Sequence, residues 1–242
     1  MRLVLVHGFT QTPAAWEGVR RRLPGSVGAE PLEVVAPDVP DGLDFPMTAG
    51  AIAEACGPGI YGGYSMGGRL CLRIALDFPD LVRGLVLVSA SPGIADAKAR
   101  TARASIDDEL ASQAATVGVE PFIRLWLRSP LFVTLEPDAG EVVARARAYS
   151  VERLAHQLRI LGQGAQEPLW ERLGELEVRV VVVTGRADEK YDAIGDHMAR
   201  LLRDARRVRI EGGHSLPLEQ PRALAEALID VAHDVTGHDG VS

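Results

Sequence analysis

The chain has 242 residues, of which 47% are hydrophobic and 24% are charged, which is the composition of a globular protein. This length is enough for one α/β domain that carries an insertion. The net charge of −7 argues against nucleic acid or an anionic membrane as a general partner, so an anionic substrate would need locally placed cations. Two cysteines, Cys56 and Cys71, are too few for a disulfide framework, and no cysteine and histidine cluster has metal-site spacing.

The first residues predict a buried strand rather than a targeting segment. Residues 3–6 are Leu-Val-Leu-Val, an apolar run suited to a strand that is covered on both faces, and they lead directly into a His-Gly-Phe loop at 7–9. No cationic stretch precedes a long apolar region, and nothing approaches the length of a membrane span. We therefore expect a soluble, cytoplasmic protein.

Strands and helices alternate through the first 91 residues. Strands are expected at 3–6, 33–36 and 84–91, and helices at about 14–22, 48–56 and 66–77. A further strand should lead into Ser65, although residues 57–62 are rich in glycine and are assigned to it by context alone. This alternation predicts a mostly parallel sheet covered on both sides. Because the chain starts directly on a strand, we expect about six strands.

The pattern changes between residues 92 and 167. This region has no convincing buried strand, and its amphipathic stretches at 97–115, 121–127, 140–148 and 151–161 are typical of helices. Strands at 178–184 and 207–211 and helices at 193–202 and 221–233 follow. The chain is therefore predicted to have a core of residues 1–91 and 168–242. A helical cap, residues 92–167, is inserted after the strand that ends near Ser91.

The stretch Gly63-Tyr64-Ser65-Met66-Gly67-Gly68 fits the pattern G-x-S-x-G, in which a serine stands on a sharp turn between a strand and a helix. A side chain at Gly63 or Gly67 would collide with the neighbouring strand or helix in so tight a turn. The serine hydroxyl would be exposed at the positive end of the following helix. A plain glycine-rich turn is the alternative interpretation of this motif taken by itself.

Three polar residues follow predicted strands of the sheet: Ser65, Asp188 and His214. Ligands bind at that edge of open parallel sheets, and Ser, Asp, His is the chain order of the α/β-hydrolase triad. Serine needs an imidazole to take its proton, and a buried carboxylate holds that imidazole in the right tautomer. Asp192 or Asp196 is the alternative acid, with Asp188 as a surface turn residue.

Backbone N–H groups that would bind a developing oxyanion can also be assigned. One is expected from Met66, directly after the serine, and the other from Phe9 in the His-Gly-Phe loop. Such preorganised donors are typically worth about 3 kcal/mol each. Arg69 lies one helical turn beyond Ser65 on the same face, near the site.

Nearly the whole chain resembles one branch of the α/β-hydrolases, the 2-succinyl-6-hydroxy-2,4-cyclohexadiene-1-carboxylate synthase family of menaquinone biosynthesis. The cap pattern and the arginine after Gly67-Gly68 distinguish this family from esterases better than the general hydrolase motifs do. The matching stretches are residues 7–9, 63–69 and 89–93 in the core, 103–111, 122–132 and 158–164 in the cap, and 168–170 and 185–191 beyond it.

The resemblance implies a lyase that eliminates pyruvate from 2-succinyl-5-enolpyruvyl-6-hydroxy-3-cyclohexene-1-carboxylate without a metal or organic cofactor. This small anionic substrate carries three carboxylates, and the planar fork of arginine binds a carboxylate bidentately. The resemblance implies that Arg103 and Arg147 bind substrate from the cap together with Arg69, with Arg145 as the alternative to Arg147. It also implies that Tyr64 and Trp126 line the pocket.

Two other functions fit parts of the pattern. A carboxylesterase or C–C hydrolase would use Ser65 to form an acyl-enzyme, and a neutral ester would need none of the arginines. A non-catalytic binding protein on the same fold is a third possibility, which the intact Ser65, Asp188 and His214 argue against.

Overall fold

The computed structural model describes residues 1–136 and 138–238 and contains a six-stranded sheet in which every neighbouring pair is parallel. The strand order across it is β4-β1-β5-β6-β7-β8, and β2 and β3 form a separate two-residue antiparallel pair. The prediction of about six parallel strands is therefore confirmed. The strands are β1 (Arg2–Val6), β2 (Ser26–Val27), β3 (Glu30–Pro31), β4 (Glu33–Val35), β5 (Gly59–Tyr64), β6 (Val82–Val88), β7 (Val180–Gly185) and β8 (Ala205–Ile210).

Ten α-helices accompany these strands in the described part of the chain. Short 3₁₀ turns occur as well, including one at Pro13–Trp16 where the sequence predicted the start of a longer helix. The helices are α1 (Glu17–Arg20), α2 (Phe45–Cys56), α3 (Met66–Asp77), α4 (Ala97–Val117), α5 (Val119–Leu127), α6 (Ala139–Ala148), α7 (Val151–Arg159), α8 (Glu189–Leu201), α9 (Leu216–Glu219) and α10 (Pro221–His238).

Both faces of the sheet are buried, as a doubly covered parallel sheet requires. Alternate residues of β1 point to opposite faces: Val4 and Val6 pack in the cluster formed with α2, α3 and α8, whereas Leu3 and Leu5 pack in the cluster formed with α1 and α10. The continuous apolar runs of β1, β6 and β7 therefore follow from burial on two sides.

The glycine-rich strand β5 lies in the middle of the sheet, between β1 and β6, and all six of its residues are buried. A Cβ atom on Gly59 would lie 2.7 Å from the carbonyl oxygen of Arg2, so the backbone of β1 fits there only against glycine. The close approach of the neighbouring strand thus explains why β5 is rich in glycine and why hydrophobic patterning alone does not predict it as a strand.

Two helices begin earlier than their apolar periodicity suggested, because an aspartate caps each one. The Asp44 carboxylate accepts from the N–H of Met47 at 2.8 Å, which starts α2 at Phe45. Asp188 likewise accepts from the N–H of Tyr191 at 3.4 Å, which starts α8 at Glu189 rather than near residue 193.

The predicted cap corresponds to α4, α5, α6 and α7, which come between β6 and β7 and include no strand in their described residues. They pack around a hydrophobic cluster of their own that includes Ala111, Phe122, Leu127 and Leu158. The boundaries at residues 92 and 167 stay predictions, and residue 137 of the cap and 239–242 of the core lie outside the described residues. Across the described helices, none combines the length and hydropathy needed to cross a membrane.

Candidate active site

Ser65 occupies the sharp turn between β5 and α3 that its motif predicted. Its backbone has φ 51° and ψ −108°, a conformation that non-glycine residues adopt only under strain. A Cβ on Gly63 would lie 2.3 Å from the carbonyl oxygen of Gly67, and one on Gly67 would lie 2.1 Å from that of Val6. Only glycine fits at these two positions, which confirms the predicted steric reason for the motif.

The serine hydroxyl is directed to a histidine and a carboxylate. The Oγ of Ser65 lies 3.2 Å from Nε2 of His214, and Nδ1 of His214 lies 2.6 Å from Oδ2 of Asp188. His214 and Asp188 are 1% and 7% exposed, so solvent cannot compete for the bond between them. In the tautomer that the carboxylate favours, Nδ1–H donates to Asp188, and Nε2 is free to accept the serine proton.

The two alternative acids are engaged elsewhere. Asp192 accepts from the hydroxyl of Thr184 at 2.8 Å and pairs with Arg209 at 3.0 Å, and Asp196 pairs with Arg207 at 3.1 Å. Neither carboxylate contacts His214 in the described structure, whereas Asp188 does.

Phe9 and Met66, the two residues predicted to donate to an oxyanion, both line the cavity beside Ser65. Met66 is the first residue of α3, and first-turn N–H groups have no acceptor within their own helix. The Ser65 side chain does not cap the helix, so it does not occupy these donors.

A cavity of about 330 Å³ opens above Ser65 and is bounded by both the core and the cap. Three cationic side chains, Arg69, Arg103 and Lys190, line it, against a single carboxylate from Asp107. The described lining is therefore cationic in a protein whose net charge is −7.

Arg69 is the most buried of these cations, with 5% of its surface exposed. Its guanidinium donates at 2.7 Å to the side-chain oxygen of Gln166 and at 2.7 Å to the carbonyl oxygen of Leu161, both in the segment between α7 and β7. Burial lowers the pKa of Arg69 to about 10. No carboxylate in the described residues forms an ion pair with it, so its charge is available to an anionic ligand.

Arg103 reaches the cavity from α4 and is oriented by Asp107, one turn further along the same helix. Nε of Arg103 donates to Oδ1 of Asp107 at 2.8 Å, and the other carboxylate oxygen accepts from the N–H of Gly164 at 3.2 Å. Asp107 is only 1% exposed, so Arg103 is held by a fixed partner while the rest of its fork stays free.

Comparison with known proteins agrees with this geometry, since residues 3–227 match the Alpha/beta hydrolase family. The chain belongs to this family. A Bacillus subtilis (strain 168) protein, named provisionally as 2-succinyl-6-hydroxy-2,4-cyclohexadiene-1-carboxylate synthase, is 34% identical over 68% of this chain. The match spans 62% of the relative's own length.

Two further relatives of this alpha/beta hydrolase cover almost the whole chain. The 2-succinyl-6-hydroxy-2,4-cyclohexadiene-1-carboxylate synthase of Enterobacter sp. (strain 638) is 25% identical over 95% of this chain and 90% of its own length. The solved structure of MenH from S. aureus superposes with a TM-score of 0.88 at 25% identity, covering 98% of this chain and 94% of that one. The resemblance predicted from the motifs is thus confirmed.

Trp126 lines the cavity of this alpha/beta hydrolase, as predicted. Its ring packs edge-on against Phe9 and Phe132, with centroids 5.2 and 5.8 Å away. Its indole Nε1 is buried and has no acceptor among the described residues. The side-chain nitrogen of Gln157 and the hydroxyl of Ser129, two further lining groups, are also buried without a partner. Unpaired buried polar atoms are costly, so this wall has unused hydrogen-bonding capacity for a polar ligand.

Two predicted binding residues do not line the described cavity. Tyr64 is buried behind the triad: its ring centroid lies 5.4 Å from that of His214 and its hydroxyl donates to Ser215 at 3.5 Å. Arg147 is exposed on α6. Arg145, the alternative that the sequence left open, is 6% exposed and donates to the hydroxyl of Thr10 at 3.3 Å, beside the predicted oxyanion loop. Arg145 also donates from Nε to Glu141 at 3.0 Å, and like Arg147 it does not line the described cavity. Which of the two arginines reaches the substrate therefore stays a prediction.

Lys190, Gln157 and Ser129 were not predicted as site residues. Lys190 could have been inferred, because it lies two residues after Asp188 at the edge where the predicted strands end. Desolvation lowers the pKa of its ammonium group, and Arg103 adds to that effect. Gln157 and Ser129 give no sequence signal, since their inward orientation depends on how the cap helices pack.

Proposed function

We propose that this protein is a lyase that eliminates pyruvate from 2-succinyl-5-enolpyruvyl-6-hydroxy-3-cyclohexene-1-carboxylate, giving 2-succinyl-6-hydroxy-2,4-cyclohexadiene-1-carboxylate. The observation that carries this proposal is the cationic cavity over a serine, histidine and aspartate triad. A substrate with three carboxylates supplies the negative charge that this cavity lacks, and the names of the Bacillus and Enterobacter relatives support the same activity.

In the proposed reaction Ser65, His214 and Asp188 act together as a base. His214 accepts the hydroxyl proton of Ser65, and the serine oxygen removes the proton from the ring carbon that bears the succinyl group. That electron pair shifts through the ring double bond and breaks the bond to the enolpyruvyl oxygen. Enolpyruvate leaves, takes up a proton and becomes pyruvate, while the ring gains its second double bond.

The backbone N–H groups of Phe9 and Met66 are proposed to bind the succinyl oxygen while it carries enolate charge. A site built for a tetrahedral oxyanion suits an enolate equally well, because both place charge on one oxygen. Arg69, Arg103 and Lys190 would bind carboxylates and hold the ring so that its acidic carbon faces Ser65. The proposed reaction requires no metal or organic cofactor.

The test is pyruvate release from this substrate, measured through lactate dehydrogenase against the spontaneous rate. Ser65→Ala should abolish the enzymatic rate, whereas Ser105→Ala, a control on the exposed surface of α4, should leave it unchanged. Absence of acceleration over the spontaneous rate by the wild-type protein would refute the proposal.

The alternative is a serine carboxylesterase or C–C hydrolase, which the 3.2 Å contact between Ser65 and His214 would serve equally well. It predicts an acyl-enzyme, detected by mass spectrometry as a covalent adduct on Ser65 during turnover of short p-nitrophenyl esters. The lyase mechanism forms no such adduct with its own substrate. A non-catalytic binding protein would accelerate neither reaction, and its Ser65→Ala variant would still bind the ligand.

A further inference from the structure

Glu219, at the end of α9, accepts hydrogen bonds on both sides of His214. Its Oε2 accepts from the N–H of Gly213 at 2.8 Å, and its Oε1 accepts from the N–H of Ser215 at 2.9 Å. Both oxygens of one carboxylate are thus used by the two backbone groups that flank the proposed base. Among the described residues, no Lys or Arg forms an ion pair with Glu219.

The same carboxylate also reaches the cap. The hydroxyl of Thr134 donates to Oε2 of Glu219 at 2.8 Å, in the segment between α5 and α6. The histidine loop and this segment of the cap approach so closely that a Cβ on Gly213 would lie 2.0 Å from the Thr134 hydroxyl oxygen. Glu219 therefore joins the histidine loop of the core to the cap at one point.

The loop that carries His214 needs such a constraint. Strand β8 ends at Ile210 and α9 begins at Leu216, so the sheet ladder does not continue to residues 211–215. His214 must nevertheless keep Nδ1 on Asp188 and Nε2 on Ser65 at the same time. A displacement of about 1 Å in such a geometry can reduce a rate about 100-fold.

We propose that Glu219 is a positioning residue for His214, and that Thr134 connects this function to the cap. It acts by fixing the backbone of residues 213–215 and touches neither the substrate nor the reacting atoms. The proposal rests on the role proposed above for His214, and it holds for a lyase and a hydrolase alike.

The informative variant is Glu219→Gln, which keeps the size of the side chain but replaces one acceptor oxygen with a donor. An amide nitrogen cannot accept from a backbone N–H, so one flank of His214 loses its partner. We expect kcat for pyruvate release to fall about 10- to 100-fold with KM within about twofold of wild type. Glu211→Gln is the matched control, because Glu211 is exposed and, within the described part of the chain, pairs only with Arg186 at the surface.

A second measurement needs no substrate. The 2.6 Å bond between His214 and Asp188 should give a far-downfield proton resonance for Nδ1–H, which exchanges with water when the loop moves. We expect it to be broadened or lost in Glu219→Gln and retained in Glu211→Gln. Thr134→Ala removes the hydroxyl that donates to Glu219 and adds no group to the close contact with Gly213. Because Thr134 is exposed, this variant should fold normally, and it is expected to reduce kcat about threefold and to broaden the same signal.

A normal resonance in Glu219→Gln together with kcat within twofold of wild type would overturn the proposal. The proposal would also be overturned if Glu219→Gln lost thermal stability and activity but kept the resonance, because the effect of the substitution would then be on stability alone. If the wild-type protein releases no pyruvate, the lyase assignment fails while the resonance still decides the role of Glu219. Absence of the resonance from the wild type would overturn both, because each needs the bond between His214 and Asp188.

Discussion

Arg69→Met separates a ligand-binding arginine from a structural one, because the two roles predict different combinations of stability and activity. Arg69 is 5% exposed, and its guanidinium has no carboxylate partner in the described part of the chain. Methionine fills much of the same volume without charge. The variant should therefore remove the chemistry of Arg69 while it leaves the packing of α3 largely intact.

The magnitude follows from the burial of the charge. The pKa of Arg69 falls to about 10 in the folded protein, and a fall of that size from the ordinary value of arginine corresponds to roughly 3 kcal/mol. A base whose pKa is lower in the folded state binds its proton less tightly there, so this cost is fully present at neutral pH. It disappears only as the pH rises through 10 toward the value in the unfolded chain.

The substitution also removes two hydrogen bonds, to Gln166 and to the carbonyl of Leu161. Because the donor is charged, each typically contributes about 1.5–3 kcal/mol, so their loss cancels or exceeds the relief from removing the buried charge. The free energy of unfolding of Arg69→Met should therefore stay close to that of wild type or fall by at most about 3 kcal/mol. In contrast, kcat/KM should fall roughly 10- to 150-fold, because a hydrogen bond to a charged group is worth about 1.5–3 kcal/mol.

The assay combines kcat/KM for pyruvate release with thermal unfolding. Arg73→Met is the matched control: it lies one turn further along α3 and pairs with Asp77 and Glu167 outside the cavity. This control should lose stability through its broken ion pairs and keep kcat/KM. A loss of several kcal/mol of stability in Arg69→Met, with kcat/KM unchanged, would refute the reasoning and make Arg69 a structural link to the cap.

Three further predictions concern the rest of the cavity and its surroundings. Desolvation and nearby Arg103 lower the pKa of Lys190, so its ammonium group should lose its proton, and KM should rise, at a lower pH than for an ordinary lysine. The KM of Lys190→Arg should stay constant over the same pH range, and identical pH profiles for the two proteins would contradict a role of Lys190 in substrate binding. Trp126→Phe should raise KM about tenfold with no loss of thermal stability, because it removes a buried donor that has no protein partner, and an unchanged KM would mean that Nε1 is not used. Arg145→Ala should reduce kcat about tenfold by releasing the loop at residues 8–10, whereas Arg147→Ala should be neutral; the reverse result would favour Arg147 as the substrate-binding residue.

The core was predictable because its signals are local. Strands buried on two faces are continuous apolar runs, and the residues that carry the proposed chemistry follow directly from the strand ends. For this reason Ser65, Asp188 and His214 could be assigned without a structure, and the 2.6 and 3.2 Å contacts bring them together as expected. The boundaries were less accurate where a single aspartate, such as Asp188, starts a helix before its apolar pattern begins.

The cap and the close contacts could not be predicted to the same depth. Whether Arg145 or Arg147 turns inward depends on the rotation of α6 against the core, and two residues on one helix differ by more than half a turn. Tyr64 directly precedes the serine, yet the alternation of strand side chains places it behind His214. Glu219 is five residues from His214 in sequence, and nothing in that spacing reveals that its carboxylate spans both neighbours of the histidine.

The choice between elimination and ester hydrolysis depends on charge rather than on the triad. A neutral ester gives no reason to keep Arg69 buried without a carboxylate partner, since its two hydrogen bonds go to neutral acceptors and leave the charge unpaired. Such a group is tolerated where a ligand provides the missing charge, and a cavity that a substrate anion completes is stabilised when that anion binds. With Arg103 fixed by Asp107 and Lys190 at the same cavity, the described lining has charge for more than one carboxylate. It is this excess of positive charge, inside a protein that is negative overall, that favours a polyanionic substrate and hence the lyase.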